Sequence, residues 1–325
     1  MPHIGTLAVM LARNAGQTIQ RSVVDQAKAI GWGNVERMLR RSAVGEITTS
    51  FSAPAGTETE LNAFITSLRG QSLAVEVAAR AQHFPLHSRV GILPESGFAA
   101  AEIGEFQPAA TVLLTNGVVT ITSEKVSCVL AYSAELLATN GAAAAIEADL
   151  QKAIGRGLDR ALISRIAPGS SSGFAATSSA LADIKTLVGM LAVTGAEPLV
   201  AGAAIDVNLT AAALMQDGGE AFPEVNFVGM GMIKGIPWIP TDQISAGSLL
   251  LVDPSGLQCT IEGIEIVAGT SATLVMDSAP TMPNELVDMF ATSSVAIRAT
   301  ATFSMQVLRG TDVSAECTEI AWASS

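Results

Sequence analysis

The chain has 325 residues, 49% of them hydrophobic and 15% charged, with 18 basic against 30 acidic side chains and a formal net charge of -12. That length and apolar content exclude a disordered chain and allow one large core or two ordinary ones. No uninterrupted apolar run approaches the ~18 residues of a membrane span, and an acidic body repels phosphate unless its basic side chains cluster.

The first residues, MPHIGTLAVMLARNAG, lack the basic n-region of a secretory signal, so a cytosolic chain is expected. Residues 18–41 read as an amphipathic helix with Ile19, Val23, Ala27 and Ile30 on one stripe, interrupted at Gly31-Trp32-Gly33. Arg37, Arg40 and Arg41 at its end read as a solvated helix terminus that suits the dipole. EITTSFSAPAGTET follows as an extended arm. Leu61, Phe64, Ile65 and Leu68 then fall at i, i+3, i+4 and i+7 of a short helix.

Between His83 and Lys125 two strands are expected, around Thr111–Leu114 and Val118–Thr122, with Asn116-Gly117 as the turn between them. Such a hairpin cannot bury both its faces and needs a partner surface. Lys125 to Tyr132 reads as a half-buried strand. From Ala142 the apolar period becomes helical, with Ile146, Leu150, Ile154, Leu158 and Leu162 at every fourth position and Glu147, Gln151, Asp159 and Arg160 on the wet side. A helix of roughly 25 residues would reach about 37 Å. Gly155 and Gly157 in its middle cost about 1 kcal/mol each relative to Ala, a cost that close packing against another backbone offsets.

APGSSSG is then a loop, and 178–193 a helix carrying Leu181, Ile184, Leu187, Val188 and Leu191. Apolar runs at Pro198–Ile205, Val225–Ile233, Ile236–Ile239, Ser248–Val252 and Ile261–Val267 predict a mixed sheet with a helix packed on it. From Val295 to Thr302 apolar and polar residues alternate as in a long strand exposed on one face. The fold class is α+β, and no internal repeat is present.

Chemistry is sparse. Cys128, Cys259 and Cys317 have no metal or redox spacing and read as buried thiols. His83 and His87 stand at i,i+4, but Phe84-Pro85 between them argues against the helix a zinc pair would need. No G-x-S-x-G elbow occurs. Gly229, Gly231 and Gly235 lack the spacing of a phosphate-binding loop, and Pro237 and Pro240 forbid the helix that would receive the phosphate. Asn208-Leu209-Thr210 is a sequon of consequence only in a secreted chain. No catalytic, cofactor or metal site is expected, and the chain reads as a non-enzyme.

Taken in order, the pieces resemble the major capsid proteins of tailed bacteriophages with the Hong Kong 97-type fold. The core of the resemblance is VSCVLAYSAELLATNGAAAAIEADLQKAIGRGLDRALIS at 126–164, with a strand, a Ser before Glu-Leu-Leu, and a long helix ending near Leu-Asp-x-Ala. GMGMIKGIPWIPTDQISAGSLLLVDPSG at 229–256 is similar to the family's G-x-P strand, turn and Val-Asp-Pro. NELVDMFATSSVAIRATATFSMQVLR at 284–309 is similar to its Ser-Val-Ala-x-Arg segment and long strand.

The resemblance implies an N-terminal helical region and N-arm at 1–82, an E-loop at 83–125, a P-domain spine helix within 126–177, an axial A-domain at 178–280, and P-domain strands with a C-terminal segment at 281–325. Thr111, Leu113, Asn116, Gly117, Val119 and Ile121 of the E-loop would touch neighbouring subunits. Ile146, Leu150, Ile154, Gly155, Gly157 and Leu158 would form the spine. The implied function is a self-assembling icosahedral phage head of hexamers and pentamers that encloses double-stranded DNA without specific binding. It implies portal and scaffold or decoration partners, no membrane, and assembly in the host bacterial cytoplasm. An encapsulin-like compartment shell of the same fold is the alternative. Some relatives join the E-loop to a neighbour by a Lys to Asn isopeptide bond, but the only lysine in 83–125 is Lys125, at the hairpin's base, so no such crosslink is expected.

Overall fold

Ser72 ends a turn and starts a helix: its side chain accepts a hydrogen bond from the Val75 N–H, satisfying a donor that the first helical turn leaves free. Helix α1, Leu73–Ala78, follows with all six residues buried. The computed structural model describes residues 65–84, 90–92, 118–139, 141–166, 173–191, 199–216, 219–269, 273–275, 286–288, 292–308 and 313–322. The helix expected at 18–41, the arm after it, and Thr111, Leu113, Asn116 and Gly117 lie outside these residues.

After α1, strand β1 (Val90–Ile92) pairs antiparallel with β2 (Val118–Thr120), Gly91 opposite Val119. Strand β3 spans Glu124–Ser133, and Ser133 caps the short helix α2, Ala134–Ala138, by accepting from the Leu136 N–H at 3.2 Å. The long helix α3 is Ala142–Ile166 and has 25 residues. Strand β4 (Gly173–Ala175) and helix α4 (Ala180–Met190) come next, then β5 (Val200–Ala204), α5 (Ile205–Ala213), β6 (Met215–Gln216) and β7 (Gly219–Glu220). Strands β8 (Gly231–Ile233), β9 (Ile236–Thr241) and β10 (Leu249–Val252) precede β11 (Leu257–Gly269). The chain ends with β12 (Thr273–Val275), β13 (Leu286–Asp288), β14 (Ser294–Val307) and β15 (Ser314–Thr318).

The chain divides into two compact units. One draws on Met1–Arg69, Lys125–Gly157 and Gly263–Thr302, the other on Gly70–Glu124, Leu158–Glu262 and Phe303–Ser325, so the division falls within α3, β11 and β14. In the first unit β12 and β13 form an antiparallel pair. Here β14 alternates from Ile297 to Ala301, with Ile297, Ala299 and Ala301 buried and Arg298 exposed, but Ala296, expected on the open face, is buried as well. The three long strands form a sheet in the order β11-β14-β3.

The second unit is built on a six-stranded mixed sheet, β4-β15-β10-β5-β9-β8. Its central strands β5 and β10 are buried along their whole length, which is why they read as continuous apolar or small-residue runs instead of alternating ones. On one face α4 and α5 bring Ile184, Leu187, Val207 and Ala211 into a core with Ala201, Trp238, Leu249, Ala315 and Trp322. Toward the other face, a Cβ at Gly202 would stand 2.6 Å from Leu73 Cδ2 of α1 and 2.9 Å from Ile244 Cδ1, so only glycine admits α1 there. Buried Asp183, in the first turn of α4, accepts from the Thr177 N–H and hydroxyl and from Trp322 Nε1–H at 2.8 Å.

Two sequence expectations fail in this sheet. Val225–Ile233 is strand only over Gly231–Ile233, because the preceding residues form a closed loop. Ile205 does not end a strand but begins α5. Its i,i+4 pair Ile205 and Leu209 is exposed while Val207, Asn208 and Ala211 are buried, so the apolar pattern marks the wrong face.

Candidate functional site

The apolar residues of α3 are placed as their period implies. Ile146, Leu150, Ile154, Leu158 and Leu162 of α3 are all buried. Gly155 is buried as well. At Gly157 a Cβ would overlap Val126 Cγ1 of β3, so strand and helix approach more closely than any side chain there permits. Gln151 donates from Nε2 to Ser67 Oγ at 2.9 Å, and Tyr132 donates from its hydroxyl to Asp149 Oδ2 at 2.9 Å, holding β3 against α3. Burial and the Asp149 carboxylate both raise the Tyr132 pKa, keeping the phenol protonated.

Asp159 is not on the wet side; it is 2% exposed. Gly155 and Asp159 lie buried beside the row from Ile146 to Leu162, which Ile166 continues, so the covered stripe widens there and takes in a carboxylate. Ser72 Oγ–H donates to Asp159 Oδ1 at 2.6 Å, the Ala74 N–H donates to the same oxygen at 2.9 Å, and Thr241 Oγ1–H donates to Oδ2 at 3.0 Å. Asp159 thereby joins the start of α1, the end of β9 and α3. Burial raises its pKa, and the hydrogen bonds from Ala74, Ser72 and Thr241 pull it back.

Of the hairpin residues, Val119 lies in β2 and Ile121 is buried in the chain itself. The described partner of β2 is Val90–Ile92. Gln306 Nε2 donates to Thr122 Oγ1 at 3.2 Å at its root.

Asn208 is 1% exposed, which rules it out as a glycan acceptor. Its amide donates to the carbonyls of Asn226 at 3.1 Å and Phe227 at 3.2 Å, and its Oδ1 accepts from Trp238 Nε1–H at 2.9 Å. Sequence reasoning missed this pinned loop, whose only local sign is the crowding of glycine and methionine at 229–232. Lys234 and Gly235, at φ 51° and 85°, make the two-residue turn between Ile233 and Ile236, so these glycines serve a loop and a hairpin instead of a phosphate.

Cys259 and Cys317 are buried and Cys128 is half-buried, all three as free thiols. Burial pushes the Cys259 and Cys317 thiols up to about 12, with Asp183 and Glu316 adding to the rise at Cys317. Among the described residues no cluster of His, Cys, Asp and Glu could hold a metal ion, and no helix is long and apolar enough to cross a membrane.

No family model and no curated protein matches the chain. Solved structures do. A chain from Mycobacterium phage Ogopogo is similar at 17% identity and a TM-score of 0.52, over 77% of this chain and 92% of that one. One from Microbacterium phage Oxtober96 is similar at 14% identity and a TM-score of 0.51, over 87% of this chain and 99% of that one. A looser match, at 10% identity and a TM-score of 0.44 over 90% of this chain and 98% of that one, is to the satellite phage P4 procapsid including size determination (Sid) protein. On the first two matches this chain has the fold of phage proteins, as the resemblance to tailed-phage capsid proteins requires of it.

Proposed function

We propose that the chain is a major capsid protein, a structural subunit that self-assembles into an icosahedral phage head. One observation carries the reading: the Oxtober96 match takes in 99% of that chain and 87% of this one, so a whole fold is shared and not one module of it. Two of the motifs behind the resemblance also meet in space. Asp159 of Leu-Asp-x-Ala bonds Thr241 of the G-x-P strand, and Ser133 before Glu-Leu-Leu caps α2. The encapsulin-like alternative gains no support from these matches.

In this reading 1–82 are the N-terminal region and N-arm, 83–125 the E-loop, 126–177 and 281–325 the P-domain with its spine, and 178–280 the axial A-domain. The E-loop lies on a neighbouring subunit in hexamers and pentamers. Interfaces above the ~2,000 Å² of ordinary complexes close the shell from many modest contacts. A net charge of -12 suits a wall that encloses DNA without holding it. Portal, scaffold and decoration proteins are the expected partners, the virion the destination and the host bacterial cytoplasm the place of assembly. The role is structural and not catalytic.

The test is sedimentation of the expressed chain beside a form lacking residues 83–125. The intact chain is expected to sediment as large particles and the shortened one as soluble subunits. Normal shells from the shortened chain would remove the E-loop from the account.

A further inference from the structure

The exposed back of α3 carries a line of positive charge. Three of the chain's 18 Lys and Arg side chains, Lys152, Arg156 and Arg160, recur at i, i+4 and i+8 of this uninterrupted helix, and all three are exposed. They stand about 6 Å apart along the axis, over about 12 Å in all. Ile154, Leu158 and Leu162, each two residues further on, are buried on the opposite side.

The helix does little to neutralise this line. Among the positions three and four residues away, only 149 and 159 hold carboxylates. Asp149 accepts from the Tyr132 hydroxyl, and Asp159 is buried under hydrogen bonds from Ser72, Ala74 and Thr241. Among the described residues Lys152 and Arg160 form no ion pair. Successive like-charge pairs at i,i+4 destabilise a helix, and a bound polyanion removes that repulsion.

Phosphates suit this line better than a protein does. A protein interface is anchored by buried apolar and aromatic side chains, with charge kept to its rim, and among the described residues α3 exposes no large apolar side chain. Contact with a phosphate backbone is carried by charge alone. We propose that Lys152, Arg156 and Arg160 form a sequence-blind contact to the phosphate backbone of duplex DNA, so that this face of α3 is turned toward the DNA the shell encloses. The inference rests on the shell reading and adds a DNA-facing surface to it. Three cations per copy make a weak contact that salt dissolves and along which a duplex can slide.

The experiment titrates a fluorescent duplex of mixed sequence with the full chain at a series of low salt concentrations and reads anisotropy. Each phosphate contact adds about 0.9 to the steepness of log affinity against log salt, so a slope of about -3 is expected for wild type and about -1 for Lys152→Gln with Arg160→Gln. Lys185→Gln with Arg298→Gln removes the same charge from exposed sites elsewhere and is expected to keep the wild-type slope, with one melting curve for all three proteins. Acetylation of Lys152 in the wild-type chain, expected to slow when the duplex is added while that of Lys185 does not, reads the same contact without a substitution. Equal slopes in the two double variants, unchanged Lys152 acetylation, or no duplex binding by wild type at low salt overturn the inference. Tighter binding to polyglutamate than to the duplex overturns it in favour of an acidic protein partner. Normal shells together with duplex binding that ignores the stripe overturn this inference alone. A folded wild type that binds the duplex through the stripe and never assembles supports the contact and overturns the shell reading.

Discussion

Asp159 is a carboxylate surrounded by two hydroxyls and a backbone N–H, and its three hydrogen bonds join segments 85 and 82 residues away. Asp159→Asn keeps an oxygen for Ser72 and Ala74 and can turn its amide to the Thr241 oxygen, so a cost of about 1 kcal/mol is expected; Asp159→Leu leaves the donors unmatched and should cost ~2–4 kcal/mol. Urea unfolding of both variants measures this, and equal costs would contradict the network. The pH dependence has a definite sign. Because burial raises the folded pKa above the unfolded one, the folded state binds this proton more tightly. Its contribution is complete below the unfolded value of about 4 and is lost as pH rises through the raised folded value. Wild type should therefore lose stability relative to Asp159→Asn as pH climbs from about 4, and a constant difference would contradict the raised pKa. Asp159 was legible in the sequence as part of Leu-Asp-x-Ala but not as buried, because a charged residue next to an apolar stripe reads as its wet border unless its partners are known.

At the scale of elements, α3 and β3 were the most legible. A period of four sustained from Ile146 to Leu162 predicts a long helix, and one of 25 residues forms. The unexplained Gly157 proves to be where Val126 of β3 packs on the helix. Gly157→Ala should gain about 1 kcal/mol of helix propensity yet lose ~1–3 kcal/mol to the overlap with Val126. A net loss in thermal stability is expected, restored by adding Val126→Ala. A stabilised single variant, or no rescue in the double, would contradict the close approach. Helix α5 was illegible for the converse reason: Ala204 starts it without a capping side chain, and its exposed Ile205 and Leu209 disguise a buried face that includes Asn208. The residues of β4 and β15 pair only across the whole chain, a register that no local pattern encodes.

In the second unit Val90–Ile92 pairs with Val118–Thr120, and Gln306 bonds Thr122 just after that pair. Lys125, at the start of β3, is the only lysine from 83 to 125, so particles of this chain are expected to dissolve to single chains in hot detergent with reductant. Ladders that survive that treatment would show a covalent bond the account excludes. Assembly into a shell is tested most directly by electron microscopy of the purified chain. Closed shells built of hexameric and pentameric units are predicted, whereas a monodisperse small oligomer under conditions where the chain is folded would contradict it.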